Sequence, residues 1–207
     1  MHDGSGAAAA ATAPDDELPP YIGIAMSEVR LVRTEHDAAE ALAALMAADT
    51  IGFDTESKPT FAKGEVSTGP HLVQLATDTQ AWLFQTATPA GNAFALPVLQ
   101  PVLESESILK VGFGLGDDVR RLKTKFGIEL QNVLDLSTAL RRRGERNPLG
   151  ARSAVARFFG QRLQKSKRIT TTNWSLPRLN DKQLQYAADD AHAALRIYRR
   201  WRANPGA

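Results

Sequence analysis

Three apolar runs, far apart in the chain, each break off in carboxylates: Ile51-Gly52-Phe53-Asp54-Thr55-Glu56, then Leu115-Gly116-Asp117-Asp118, then Tyr186-Ala187-Ala188-Asp189-Asp190. A fold that packs these runs into one core brings their acidic ends along, and neighbouring acids repel unless a cation or a shared proton compensates. In an extended segment the side chains alternate, so Ile51 and Phe53 face one way and Asp54 and Glu56 the other, two hard oxygen donors side by side. In a helix, positions four apart share a face, so Tyr186 and Asp190 present a phenol and a carboxylate together, while Asp189 turns about 100° away. Magnesium and manganese prefer such oxygen donors. Taken singly, each fragment also reads as a solvated strand end or, for Asp117-Asp118 ahead of Val119-Arg120-Arg121-Leu122, as the acidic first turn of a helix. Their combination and order point to a carboxylate cage for divalent metal.

The same stretches carry a family likeness. Gly52-Phe53-Asp54-Thr55-Glu56, Lys110-Val111-Gly112-Phe113-Gly114-Leu115-Gly116-Asp117-Asp118 and Tyr186-Ala187-Ala188-Asp189-Asp190-Ala191, supported by Leu72-Val73-Gln74-Leu75-Ala76 and by Lys165-Ser166-Lys167 with Asn173-Trp174, span residues 22 to 202. On them the chain resembles the DEDD superfamily of 3′-5′ exonucleases, in the subgroup whose last motif holds tyrosine, and is similar to the Werner syndrome exonuclease domain and to ribonuclease D. The resemblance implies a ribonuclease H-like α/β fold and hydrolysis of phosphodiester bonds from a 3′ end, with release of nucleoside 5′-monophosphates. It implies that Asp54, Glu56, Asp118 and Asp190 hold two divalent ions, Mg²⁺ or Mn²⁺, and that Tyr186 orients the attacking water. An ordinary tyrosine pKa of about 10 makes Tyr186 a poor base at neutral pH, so positioning is its expected role. The family's run places the fourth ligand at Asp118, although Asp117 beside it is also acidic.

The chain's 207 residues, 43% of them hydrophobic, suit one domain over 21–204 behind a disordered tail at 1–20. Absence of cysteine excludes disulfide and thiolate metal chemistry, and the expectation is a cytoplasmic protein. No apolar run approaches the roughly 18 residues of a membrane span. Charge is uneven: between residues 141 and 168, ten Lys or Arg stand against Glu145 alone, within a chain of net charge +2. Such a segment is a candidate surface for a phosphate backbone or else a solubilising face, and the acidic motifs favour nucleic acid. Lys165, Lys167 and Arg168 are the candidate phosphate contacts, and Trp174 could stack on a base or pack internally. The expected partner is a single-stranded 3′ end, of DNA by likeness to the Werner-type domain and the lack of the helical domain that many ribonuclease D chains carry, or alternatively of RNA. A third reading is an inactive nucleic-acid-binding module.

Periodicity and turn residues predict strands at 50–56, 71–77, 81–85, 108–113 and 132–136, with the second and third joined through Asp78-Thr79-Gln80 as an antiparallel hairpin. Helices are predicted near 36–48, 93–104, 117–126, 136–143, 150–160 and 181–202, with a loop over 161–180. The result is a mixed five-stranded sheet with one antiparallel strand, flanked by helices. Phe53, Val73, Leu75, Ala187, Ala191, Leu195 and Tyr198 are candidate core, and His71 a structural residue. Gly112-Phe113-Gly114-Leu115-Gly116 imitates a dinucleotide fingerprint with Asp135 as the ribose acid, but the third glycine of that pattern would fall at Asp117, where a carboxylate would oppose a pyrophosphate.

Overall fold

The computed structural model describes residues 17–60, 64–164 and 167–204, with the backbone alone at 167 and 168. Its strands are β1 (Val29–Leu31), β2 (Thr50–Glu56), β3 (Leu72–Ala76), β4 (Ala81–Gln85), β5 (Leu109–Gly112) and β6 (Val133–Asp135). Its helices are α1 (Glu35–Met46), α2 (Pro89–Leu103), α3 (Gly116–Phe126), α4 (Leu136–Ala139), α5 (Ala151–Phe159), α6 (Lys167–Thr170) and α7 (Asp181–Ala203). The strands form one sheet in the order β1-β4-β3-β2-β5-β6. β3 runs antiparallel to both β2 and β4, and every other neighbouring pair is parallel. The hairpin and the single antiparallel strand are as expected, but the sheet has six strands rather than five. The extra one, β1, is three residues long and pairs with β4 through Val29 opposite Ala81. So short a segment has no periodicity to read, and its pairing with β4 makes it a strand.

Helix ends follow from their caps. Thr34 accepts from the Asp37 backbone N–H, while the Asp37 carboxylate accepts from the Thr34 N–H, closing a capping box on α1. Asn180 and Gln183 do the same for α7. α2 begins at Pro89 behind the Thr88 cap, four residues before the predicted start, because proline suits a first turn whose N–H groups lack intrahelical partners. α4 ends at Ala139, short of the predicted 143.

The sheet separates two apolar layers. Ile51, Phe53, Val73 and Leu75 pack with α1 and α2 on one face. On the other, Leu72, Ala76 and Leu83 meet Ala187 and Ala191 of α7, and Leu195 packs with α5 residues. The expected tail over residues 1–16 lies outside the described residues. Within 17–20, Pro19 accepts from the Arg162 N–H, Pro20 bridges to Arg162, and Tyr21 N–H donates to the Arg162 carbonyl (2.9 Å).

His71, just before β3, is a structural residue. Its Nδ1 accepts from the Lys58 backbone N–H (3.0 Å) and its Nε2 bonds Thr68 Oγ1 (3.1 Å). Burial, aided by the charges of Lys125 and Lys58, lowers its pKa from 6.5 to about 4. Between pH 6.5 and 4 the unfolded chain therefore binds the extra proton, so this contribution to stability is complete above 6.5 and is lost as pH falls towards 4. In a His71→Asn variant the Tm difference between pH 7 and pH 4.5 is expected to shrink by roughly 5 °C. An unchanged difference removes the imidazole from the acid response.

Candidate active site

β2 is buried from Thr50 to Phe53 and emerges at Asp54, so its two acids sit where the strand leaves the core. α7 crosses this end closely. A Cβ added to Gly52 would lie 1.9 Å from the Ala191 carbonyl oxygen, a contact possible only because glycine has none. That approach delivers Asp190, which is 6% exposed, to the β2 carboxylates. Among the described residues, Asp54, Glu56 and Asp190 each offer an oxygen, and these oxygens all lie within 4.8 Å of one another. An all-carboxylate set of this spacing suits a hard divalent cation. Gln74, paired with Asp54 across β2 and β3, is fully buried with neither end of its amide hydrogen-bonded. An unsatisfied amide costs on the order of 1–3 kcal/mol, and beside a carboxylate cluster it fits a place for a hydrated ion.

Tyr186 lies one turn before Asp190 on α7 and is buried. Burial raises its pKa well above the ordinary tyrosine value, and Asp190, Glu56 and Asp54 raise it further. The phenol therefore stays protonated and donates towards Asp190. Beneath it lies Trp174, wholly buried with ring centroids 6.0 Å apart. Of the two readings open for Trp174, base stacking is set aside and internal packing holds. Its ring packs in the core, where no strand can reach it.

Asp118 lies outside the three-carboxylate group. It lies with Asp117 in the acidic first turn of α3, as the sequence allowed, and the Thr55 hydroxyl, between the two β2 acids in sequence, donates to its Oδ1. Burial raises its pKa, against the lowering effects of that bond and of Arg121. Asp117 points to solvent and pairs with Arg120 (2.7 Å). Asp118→Asn should accordingly abolish cleavage and Asp117→Asn leave it within a few-fold of the parent. The reverse ranking in a 3′-end degradation assay reassigns the ligand. In the glycine-rich turn the Gly114 and Leu115 N–H groups both donate to Asp135 (2.9 and 3.0 Å), so these two amides already have an anionic partner of their own.

A cleft of about 990 Å³ opens beside Tyr186 and Asp190, walled also by Gly23, Ile24, Met26 and Thr172. The wall at 23–26 is held by Asp189, whose Oδ1 accepts from Ile24 N–H (3.0 Å), while Gln185 Nε2 donates to the Ile24 carbonyl (2.8 Å). Sequence reasoning missed Thr55, Gln74 and this latch. Only Gly52 left a legible mark, as a glycine inside an apolar strand. Of the expected phosphate contacts, Lys165 lies outside the described residues, and Lys167 and Arg168 lie on the backbone of α6.

The fold agrees with what known proteins of similar sequence and structure show. The family model for the 3′-5′ exonuclease matches residues 29–203. The chain belongs to the 3′-5′ exonuclease family. A 3′-5′ exonuclease of Arabidopsis thaliana is 30% identical over 154 residues, covering 72% of this chain and 51% of that protein. The mouse bifunctional 3′-5′ exonuclease/ATP-dependent helicase WRN is 29% identical over 153 residues, covering 73% of this chain and 11% of that protein. This chain thus spans about half of the first relative and a small part of the second. Ribonuclease D of Trypanosoma brucei in complex with RNA superposes with a TM-score of 0.73 at 25% identity, over 86% of this chain and 63% of that one. Escherichia coli ribonuclease D shares the fold, with a TM-score of 0.69 at 24% identity over 84% of this chain and 44% of that one. No described helix is long and apolar enough to cross a membrane.

Proposed function

We propose that this chain is a metal-dependent 3′-5′ exonuclease that removes nucleoside 5′-monophosphates from nucleic acid. The observation that carries the reading is the convergence of Asp54, Glu56 and Asp190, from two elements brought together by a missing Cβ, under a tyrosine that keeps its proton. Divalent ions held there, two in this reading, would acidify a water and neutralise charge on the phosphoryl oxygens. Asp54, Glu56 and Asp190 are the ligands, with Asp118 supporting the second ion from its place beside Thr55. Tyr186, a fixed donor, orients the nucleophile and takes no proton from it.

DNA is the leading substrate by similarity to the WRN exonuclease. The RNA-bound ribonuclease D neighbour favours RNA as the second reading. The test uses 5′-labelled single- and double-stranded DNA and RNA with Mg²⁺, Mn²⁺ or EDTA. Laddering from the 3′ end that EDTA abolishes supports the enzyme, and the substrate ranking chooses between the two. Binding with no degradation under any metal condition overturns it in favour of an inactive module. Tyr186→Phe is expected to slow turnover by about 10²-fold, with the Mg²⁺-induced thermal shift intact. Unchanged kinetics remove the tyrosine from the chemistry.

A further inference from the structure

The strongest uncompensated charge on the described surface is the loop between α4 and α5. Arg141, Arg142, Arg143 and Arg146 are all exposed. Among the described residues none of their guanidinium groups donates a hydrogen bond or enters an ion pair. The loop's one acid is fully engaged. Glu145 Oε1 lies 2.5 Å from Arg157 Nη2, and its Oε2 accepts from the Arg142 backbone N–H at 2.9 Å. Arg157 in turn donates to the Leu140 carbonyl (3.1 Å), and Leu149 N–H to the Ser137 carbonyl (2.8 Å), so the loop is closed at both ends. Gly144, at φ +95°, makes the turn that a side chain would resist. A protein that wanted only a soluble loop has no need to fasten it this way while leaving four like charges together, each repelling the others.

Its position relates it to the carboxylates. β2, β5 and β6 are parallel neighbours, so their C-terminal ends share one edge of the sheet. Asp54 and Glu56 end β2, Asp118 follows β5, and Asp135 ends β6 directly before α4. β6 stands two strands from β2, about 10 Å away, and Arg141 follows six residues after Asp135. The arginines therefore begin on the same edge as the active site, a short step to its side.

We infer that this loop is a second contact for the polynucleotide, gripping the phosphate backbone of the strand or duplex upstream of the 3′ end being cut. The inference rests on the proposed nuclease reading for its ligand, and it assigns a grip to residues 141–146. Guanidinium groups suit phosphate through paired donors, and they carry no base information, so the contact is sequence-independent. It acts on long substrates and not on short ones.

The test compares the parent with a variant in which Arg141, Arg142, Arg143 and Arg146 are all changed to glutamine. Binding of a fluorescent 20-nucleotide strand is read by anisotropy in EDTA, independently of cleavage. Hydrolysis of the p-nitrophenyl ester of thymidine 5′-monophosphate, too small to reach the loop, is read in Mn²⁺. The variant is expected to bind the 20-mer about 10–100-fold more weakly near 0.1 M salt, with a plot of log K against log salt shallower by up to about 3. Its kcat/KM for the small ester should match the parent's, and a fourfold Arg→Lys variant should recover most of the binding. Unchanged binding of the 20-mer overturns the inference, as does an equal loss on both substrates, which would mark a disturbed fold. A parent that binds the 20-mer with the steep salt slope yet cleaves neither substrate in any metal would overturn the nuclease reading and leave the grip standing.

Discussion

Asp190→Asn is expected to lower turnover by on the order of 10³-fold and to remove most of the stability that the parent gains from Mg²⁺. Both effects come from one geometry. Three carboxylates with oxygens within 4.8 Å of one another repel when no cation stands among them, and Asp190 is the buried member, where that repulsion is least screened. Removing its charge leaves the set one charge short for a divalent ion, and for a chain of this length each 1 kcal/mol of ion binding lost corresponds to roughly 2–4 °C. The same substitution weakens ion binding, and ions at such sites contribute several kcal/mol to the transition state, at about 1.4 kcal/mol per tenfold. Differential scanning fluorimetry in EDTA and in Mg²⁺, beside an exonuclease assay, checks both. The parent should gain stability from Mg²⁺ and the variant should gain little. A variant as active as the parent, or one that gains as much Tm from Mg²⁺, contradicts the carboxylate cage.

Gly52→Ala should be damaging far beyond the size of the methyl it adds. Its Cβ would meet the Ala191 carbonyl oxygen at 1.9 Å and the carbonyl carbon at 2.7 Å, both backbone atoms that no rotamer change can move. Helix α7 has to lift away from β2 by more than an ångström, an overpacking cost of about 1–3 kcal/mol. The helix carries Tyr186 and Asp190, and a displacement near 1 Å in catalytic groups can reduce a rate by about 10²-fold. Melting and turnover should therefore fall together, with no residue that touches substrate altered. Wild-type activity in a destabilised Gly52→Ala protein would show that α7 can shift without taking the carboxylates apart.

How much of this was legible in the chain depends on how local each signal is. The D-x-E at the end of β2 and the Tyr186/Asp190 face of α7 rest on periods of two and 3.6 residues, and both emerged where expected. The hairpin between β3 and β4 was announced by Asp78-Thr79-Gln80. β1 was not, because three residues acquire strand character only from β4. Trp174 shows the limit of a local signal: an aromatic after a basic stretch leaves stacking and packing both open, while the packing of Tyr186 over it is a three-dimensional fact. The partnership of Thr55 with Asp118 and the isolation of the Gln74 amide join positions 63 and 20 residues apart, which no short pattern encodes. Asp189 was read correctly as turned away from the carboxylates, but its attachment to Ile24 required the coordinates.

Helix α7 is also fastened at its far end. Arg199 donates to Asp49 (2.6 and 2.8 Å) and to Asp78 (3.1 and 3.4 Å), in turns at the opposite edge of the sheet from the carboxylates. Those bonds hold Asp49 down to about 2 and keep the guanidinium charged. With Asn180 and Gln183 closing one end and this clamp near the other, the helix is held at both ends of the stretch from Asp181 to Arg199. Amide exchange between Asp181 and Arg199 should be slow throughout, so that Tyr186 and Asp190 keep their places before any substrate arrives and little of the energy of association goes into arranging them.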